Sequence, residues 1–155
     1  GRAIEDSGGR VDKFIGDGVM ALFGTAGDPA EGARQALSAA RRMSVNLAEL
    51  NATLTHDLDK PLRLGIGIHV GPAIVGEMGY GRAVSLTAIG DTVNIASRIE
   101  ALTKDYQAEL VISDSAAEVA GLDRGVWRQE STAIRGRKAM IEVLVVPKAT
   151  DLPAA

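Results

Sequence analysis

Residues 10–23 read RVDKFIGDGVMALF. Two short strand-like segments, Arg10 to Ile15 and Gly18 to Phe23, flank the pair Gly16-Asp17, which stands where a two-residue hairpin turn goes. Glycine tolerates the positive φ such a turn can demand, so the stretch is expected to form two antiparallel strands. Asp28-Pro29-Ala30-Glu31 then opens a helix in three ways: a capping carboxylate, proline at the first helical position and glutamate at the third. Ala33, Ala36, Leu37, Ala40, Met43, Leu47 and Leu50 follow at spacings of three and four, one apolar stripe for a core. Before the hairpin, Arg2 to Asp6 reads as the last turn of a helix stopped by Ser7-Gly8-Gly9, and the numbering is expected to begin inside that element.

Further along, Leu62, Leu64, Ile66, Ile68 and Val70 alternate with Arg63, Gly65, Gly67 and His69, the pattern of a strand with one face buried. Glycines and apolar residues from Gly71 to Ile89 suggest a hairpin-like arm with its tip near Met78-Gly79-Tyr80-Gly81. A second helix is expected from Thr92 to Leu102 with Asp91 as its cap, then a strand Glu109 to Ile112 and a short helix from Ser113. Strands near Val126 to Gln129 and Ile141 to Val146 complete an α+β plan, with helices on one face of a sheet.

Bulk properties narrow the function classes. The 155 residues suit one domain, and 46% hydrophobic with 24% charged residues is ordinary for a globular protein. A net charge of −3 gives no electrostatic reason to bind nucleic acid or an anionic membrane. The absence of cysteine excludes disulfides and thiolate metal sites. No apolar run reaches the length of a bilayer span and no signal-peptide pattern opens the chain, so a cytoplasmic location is expected.

Two segments carry chemistry. In Lys13-Phe14-Ile15-Gly16-Asp17-Gly18 a carboxylate at the tip of a tight turn is held rigidly and exposed. Such a group suits Mg²⁺, which takes one or two carboxylates and leaves other positions to phosphates and water. Aspartate is also a common turn former, and the turn alone does not separate the two readings. In Thr87-Ala88-Ile89-Gly90-Asp91-Thr92-Val93-Asn94-Ile95-Ala96-Ser97-Arg98, Asn94 and Arg98 lie four apart and project from one helix face. An amide beside a guanidinium can orient a ribose and neutralise a phosphate oxygen, or it can be a solvated surface. His56 and His69 have no metal-site spacing, His69 reads as a packed strand histidine, Trp127 as core, and Gly65-Ile66-Gly67 as strand glycines that make room for a neighbour.

The stretches KFIGDGVMALFG (13–24), LGIGIHVGPAIVGEMG (64–79) and AIGDTVNIASRIE (88–100), in that order, resemble the catalytic domains of class III adenylyl and guanylyl cyclases. The resemblance implies a ferredoxin-like (βαββαβ-type) antiparallel sheet with helices packed on it, acting as a homodimer with shared active sites in the interface. The catalytic domain is expected to occupy 1–148, with 149–155 as a tail. By the same resemblance Asp17 matches one of two metal-binding aspartates, for a pair of Mg²⁺ or Mn²⁺ ions. Lys13 and Thr87 match the base-reading pair, Asn94 and Arg98 the residues that hold the ribose and stabilise the transition state, and Arg135 a basic residue that grips the terminal phosphates. Lysine donates where adenine N1 accepts, and a threonine oxygen accepts from the adenine amino group, so the expected substrate is ATP and the product cyclic AMP.

Two departures accompany the resemblance. A first metal aspartate, in a strand resembling Asp-x-x-Gly-Phe-Thr, is expected upstream of Gly1, and without that strand the chain is expected to be inactive. The position four before His69 often carries an arginine in the family, and here it is Gly65. The alternative is a non-catalytic cyclase-like module that binds nucleotide or dimerises. A diguanylate cyclase would need a Gly-Gly-Asp/Glu-Glu-Phe hairpin, which Ile15-Gly16-Asp17-Gly18-Val19 does not supply.

Overall fold

A computed structural model describes residues 2–15, 18–24, 28–54, 62–71, 74–78, 85–89, 91–133 and 140–153. The centre of the fold is a four-stranded sheet, and its composition explains its two coats. Strand β6 (Leu110–Ser113) and strand β8 (Met140–Val146) pair antiparallel, with Leu110 opposite Val146 and Ile112 opposite Leu144. Strand β3 (Ile66–Ile68) runs parallel to β6 on one side, and β7 (Arg128–Ala133) antiparallel to β8 on the other, giving the order β3-β6-β8-β7. Leu110, Val111 and Ile112, like Val143 to Val146, are apolar at every position and all are buried. Period-two alternation therefore sends apolar side chains to both faces, and each face needs cover.

One face takes helix α2 (Pro29–Thr53) and helix α4 (Asp114–Ala120), whose Ala40, Ala116 and Ala117 pack on Leu110, Ile112, Leu144 and Val146. The opposite face takes helix α3 (Asp91–Tyr106), which sets Ile95, Ile99 and Leu102 on Val111 and Val143. Helices on both faces correct the one-face plan expected from the sequence; the continuous apolar runs in β6 and β8 are the reason.

Local chemistry sets several boundaries. Asp28 caps α2 by accepting from the Ala30 N–H at 3.1 Å, as its sequence suggests. The apolar stripe stops short of its expected end: Leu50 is 45% exposed, and Ser44 donates instead to Glu109 Oε1 at 2.6 Å. Ser113 caps α4 through the Ala116 N–H, and Gly121, at φ +74°, ends it. Helix α3 runs four residues past Leu102 because nothing breaks it there, and it stops where Gln107 takes φ +53°.

The strand expected over 62–70 is regular only at 66–68. Leu62 exchanges both its backbone groups with the Asn51 amide, which donates to its carbonyl at 3.1 Å and accepts from its N–H at 2.8 Å. A side chain thus takes the place of a neighbouring strand. At the far end, Ala149 is fully buried and Leu152 is 3% exposed, both within the α2–α4 core, although a tail is expected from 149.

Helix α1 (Arg2–Asp6) leads into the hairpin of β1 (Arg10–Ile15) and β2 (Gly18–Leu22). The arm is a second hairpin, β4 (Ile74–Met78) with β5 (Ser85–Ile89), whose expected tip lies outside the described residues. None of the described helices is long and apolar enough to cross a membrane.

Candidate active site

Helix α3 is the best-defined wall of the candidate site. Ile95 and Ile99 are 2% and 0% exposed, and this fixes the rotation of the helix about its axis. The residues one position before each, Asn94 and Arg98, are consequently turned to solvent. Neither makes a hydrogen bond or ion pair with another described residue, so their polar ends are available to a ligand.

Three glycines fix the height of α3 above the sheet. A Cβ on Gly67 would lie 2.4 Å from Glu100 N and 2.8 Å from Ala96 O. One on Gly65 would meet Thr103 Oγ1 at 2.5 Å, and one on Gly71 would meet Thr92 Oγ1 at 2.7 Å. As the strand advances from 65 to 71 its partners on the helix recede from 103 to 92, so the chain runs antiparallel along α3, and at Gly67 the two backbones meet with no side chain between them. The glycines do make room for a packed neighbour, as their sequence suggests, and that neighbour is the helix carrying Asn94 and Arg98. Gly65, at the position where family resemblance leads one to look for an arginine, faces Thr103 and Glu100 instead.

The remaining candidate residues are placed by their strands. Lys13 lies in β1 and Thr87 in β5, opposite Gly76; their side chains are outside the described residues. Strands β1 and β5 approach one another, and β5 also approaches α3, with Cα atoms within 8 Å in each case. The strand of Lys13, the strand of Thr87 and the helix of Asn94 and Arg98 are thus successive neighbours. Within β1 the pairing slips between Val11 and Lys13, leaving Asp12 as an extra residue. Such a bulge shifts the side-chain alternation of the strand, and no pattern in RVDKFI announces it.

Asp17, Arg135 and His56 lie outside the described residues. The hairpin register pairs Ile15 with Gly18. Among the described residues no three His, Asp or Glu side chains converge as a metal site. An aspartate carboxylate, such as that of Asp17, has the hard oxygen donors that Mg²⁺ or Mn²⁺ takes. His69 sits just past β3 with Nδ1 2.8 Å from Ser113 Oγ, a hydrogen bond that ties the strand exit to the start of α4. Trp127 packs against the α2–α4 core.

Comparisons with known proteins agree on the family and differ on the base. An adenylate cyclase of Anabaena cylindrica is 40% identical over 119 residues, 74% of this chain and 23% of that protein. The terminal-differentiation-specific adenylate cyclase of Dictyostelium discoideum is 35% identical over 147 residues, 93% of this chain and 7% of that protein. The chain therefore spans less than a quarter of the length of these relatives. Among solved structures, the guanylyl cyclase Cya2 superposes with a TM-score of 0.79 at 28% identity, covering 99% of this chain and 79% of its own. A shared fold does not select the base, since specificity belongs to individual site residues. Residues 4–146 match the adenylate and guanylate cyclase catalytic domain, and the chain belongs to that family.

Proposed function

We propose that this chain is the catalytic part of an adenylate cyclase, which converts ATP to 3′,5′-cyclic AMP and pyrophosphate at the interface of a homodimer. The observation that carries this reading is the exposed Asn94–Arg98 pair on a helix whose opposite face is buried, beside the strand that bears Thr87. Lys13 donates to adenine N1 and Thr87 accepts from the adenine amino group. Asn94 holds the ribose. The 3′-hydroxyl gives its proton up to water as its oxygen forms a bond to the α-phosphorus, while the bond from that phosphorus to the bridging oxygen breaks and pyrophosphate leaves. Arg98 offsets the charge that gathers on the α-phosphate oxygens, and Arg135 grips the terminal phosphates. Asp17 would hold Mg²⁺ or Mn²⁺. When bound, such ions, two in the expected scheme, would lower the pKa of the attacking hydroxyl and offset the charge of the leaving group.

Base choice tests the assignment of Lys13 and Thr87. Replacing donor with acceptor and acceptor with weak donor, Lys13→Glu with Thr87→Cys, should lower ATP turnover and raise relative GTP turnover. Cyclic AMP and cyclic GMP are measured side by side on purified, active protein that includes the expected upstream strand. Undiminished preference for ATP in the double variant would remove both residues from base reading.

Subunit mixing tests the shared site. If Asp17 of one protomer and Arg98 of its partner serve one site, Asp17→Ala and Arg98→Ala chains are each inactive alone but complement when mixed. Random pairing makes half the dimers mixed, each with one intact site of two, so activity should recover to about a quarter of wild type. Mixed dimers that form and stay inactive would refute a shared site.

A further inference from the structure

Helices α1 and α2 enclose a cleft of about 590 Å³ that opens to solvent. Helix α2 covers the face of the sheet opposite α3, so this cleft is separate from the site around Asn94 and Arg98. Its walls follow from helical spacing. Arg2 and Asp6 stand four apart on α1, while Arg41 and Val45, and Arg42 and Asn46, stand four apart on α2. Three arginines and one aspartate therefore line the cleft, an excess of positive charge in a chain of net charge −3.

Asp6 offsets only part of that charge, and no ion pair among the described residues takes up the rest. The ion pairs there involve Arg124 and Arg128, and none joins Arg2, Arg41 or Arg42 to a carboxylate. Arg41 Nε is buried and has no hydrogen-bond acceptor among the described residues. A buried N–H donor without an acceptor is costly, and an anionic oxygen bound beside Arg41 would supply one. The planar fork of a guanidinium matches the oxygens of a phosphate, and three forks outweigh a single negative charge. Asp6 and Asn46 can accept from ligand hydroxyl or amino groups, and Val45, 37% exposed, offers an apolar contact.

We propose that the α1–α2 cleft binds a small phosphate-bearing anion with at least two negative charges, independently of the nucleotide site. The probe is inorganic pyrophosphate without divalent metal, titrated calorimetrically into the purified protein and followed at the Asn46 side-chain amide by NMR. The expected result is saturable binding that Arg41→Lys with Arg42→Lys weakens by about tenfold or more, because the charge stays and the fork is lost. Arg98→Ala should leave this binding unchanged, whereas pyrophosphate held in the nucleotide site would be weakened by it. Citrate, of similar charge but with carboxylate geometry, should bind at least about tenfold more weakly. Asn46→Asp, which places a second carboxylate in the cleft on an exposed helix position, should also weaken binding and serves if the double variant is unstable. Binding that never saturates, survives these substitutions or fails to discriminate against citrate would overturn the proposal.

Discussion

Arg98→Ala should keep its fold and lose turnover by about 10²-fold or more. The first half of that expectation rests on the environment of the side chain. Arg98 is exposed and makes no hydrogen bond or ion pair with another described residue, so its truncation removes nothing that holds α3 in place. Surface changes of this kind usually alter stability by no more than about 0.5 kcal/mol. The second half rests on the proposed chemistry. A guanidinium that meets charge developing on the α-phosphate is needed more in the transition state than in the bound substrate, so kcat should fall further than KM rises. Arg98→Lys should recover only part of the loss, because an ammonium keeps the charge without the planar fork. Asn94→Ala should behave similarly, with a larger share of its effect in ribose positioning. Thermal unfolding and steady-state cyclic AMP formation, measured on the same preparations, separate the two halves. A KM effect with unchanged kcat would make this helix face a binding platform without a part in the transition state.

How much of this could be read from the sequence depends on how local each signal is. The β1–β2 hairpin, the Asp28 cap and the Ser113 cap are set by residues within a few positions of one another, and each occurs where its residue types suggest. Asn94 and Arg98 could be placed on one helix face from their spacing alone, and the buried Ile95 and Ile99 give that face its direction. Long-range features were less legible. Asn51 substitutes for a strand neighbour at Leu62 from eleven residues away, and no periodicity encodes that exchange. The bulge at Asp12 follows from pairing with β2 and leaves the composition of β1 unchanged. The second helical coat of the sheet could have been inferred from the unbroken apolar runs in β6 and β8, since alternation with one buried face would have placed polar residues among them. The cleft between α1 and α2 joins residues some forty positions apart, and only the packing of the two helices brings their arginines together.

Gly67→Ala should be the most damaging single-methyl change in the described part of the chain. The added Cβ would stand 2.4 Å from Glu100 N, 2.7 Å from Glu100 Cα and 2.8 Å from Ala96 O. All three are backbone atoms of α3, so no rotamer change relieves the clash, and the helix itself must lift from the strand. Lifting it loosens Ile95, Ile99 and Leu102 from Val111 and Val143, with which they form the buried cluster on that face. Overpacking of this kind costs about 1–3 kcal/mol, and a contact with backbone belongs at the upper end or beyond. At about 2–4 °C per kcal/mol for a chain of this size, the melting temperature should fall by roughly 5–10 °C. Turnover should fall as well, because the displaced helix carries Asn94 and Arg98, and a shift of about 1 Å in positioned groups is enough to cost about 10²-fold. Gly65→Ala provides the internal comparison. Its Cβ would meet Thr103 Oγ1, a side-chain atom, at 2.5 Å, and a hydroxyl can rotate away where a helix backbone cannot. Gly121→Ala meets nothing within 4 Å and carries only the strain of φ +74°, roughly 1 kcal/mol. The expected order of destabilisation is therefore 67, then 65, with 121 limited to its backbone term. A Gly67→Ala protein that melts with the wild type would mean that α3 does not rest on the backbone of β3.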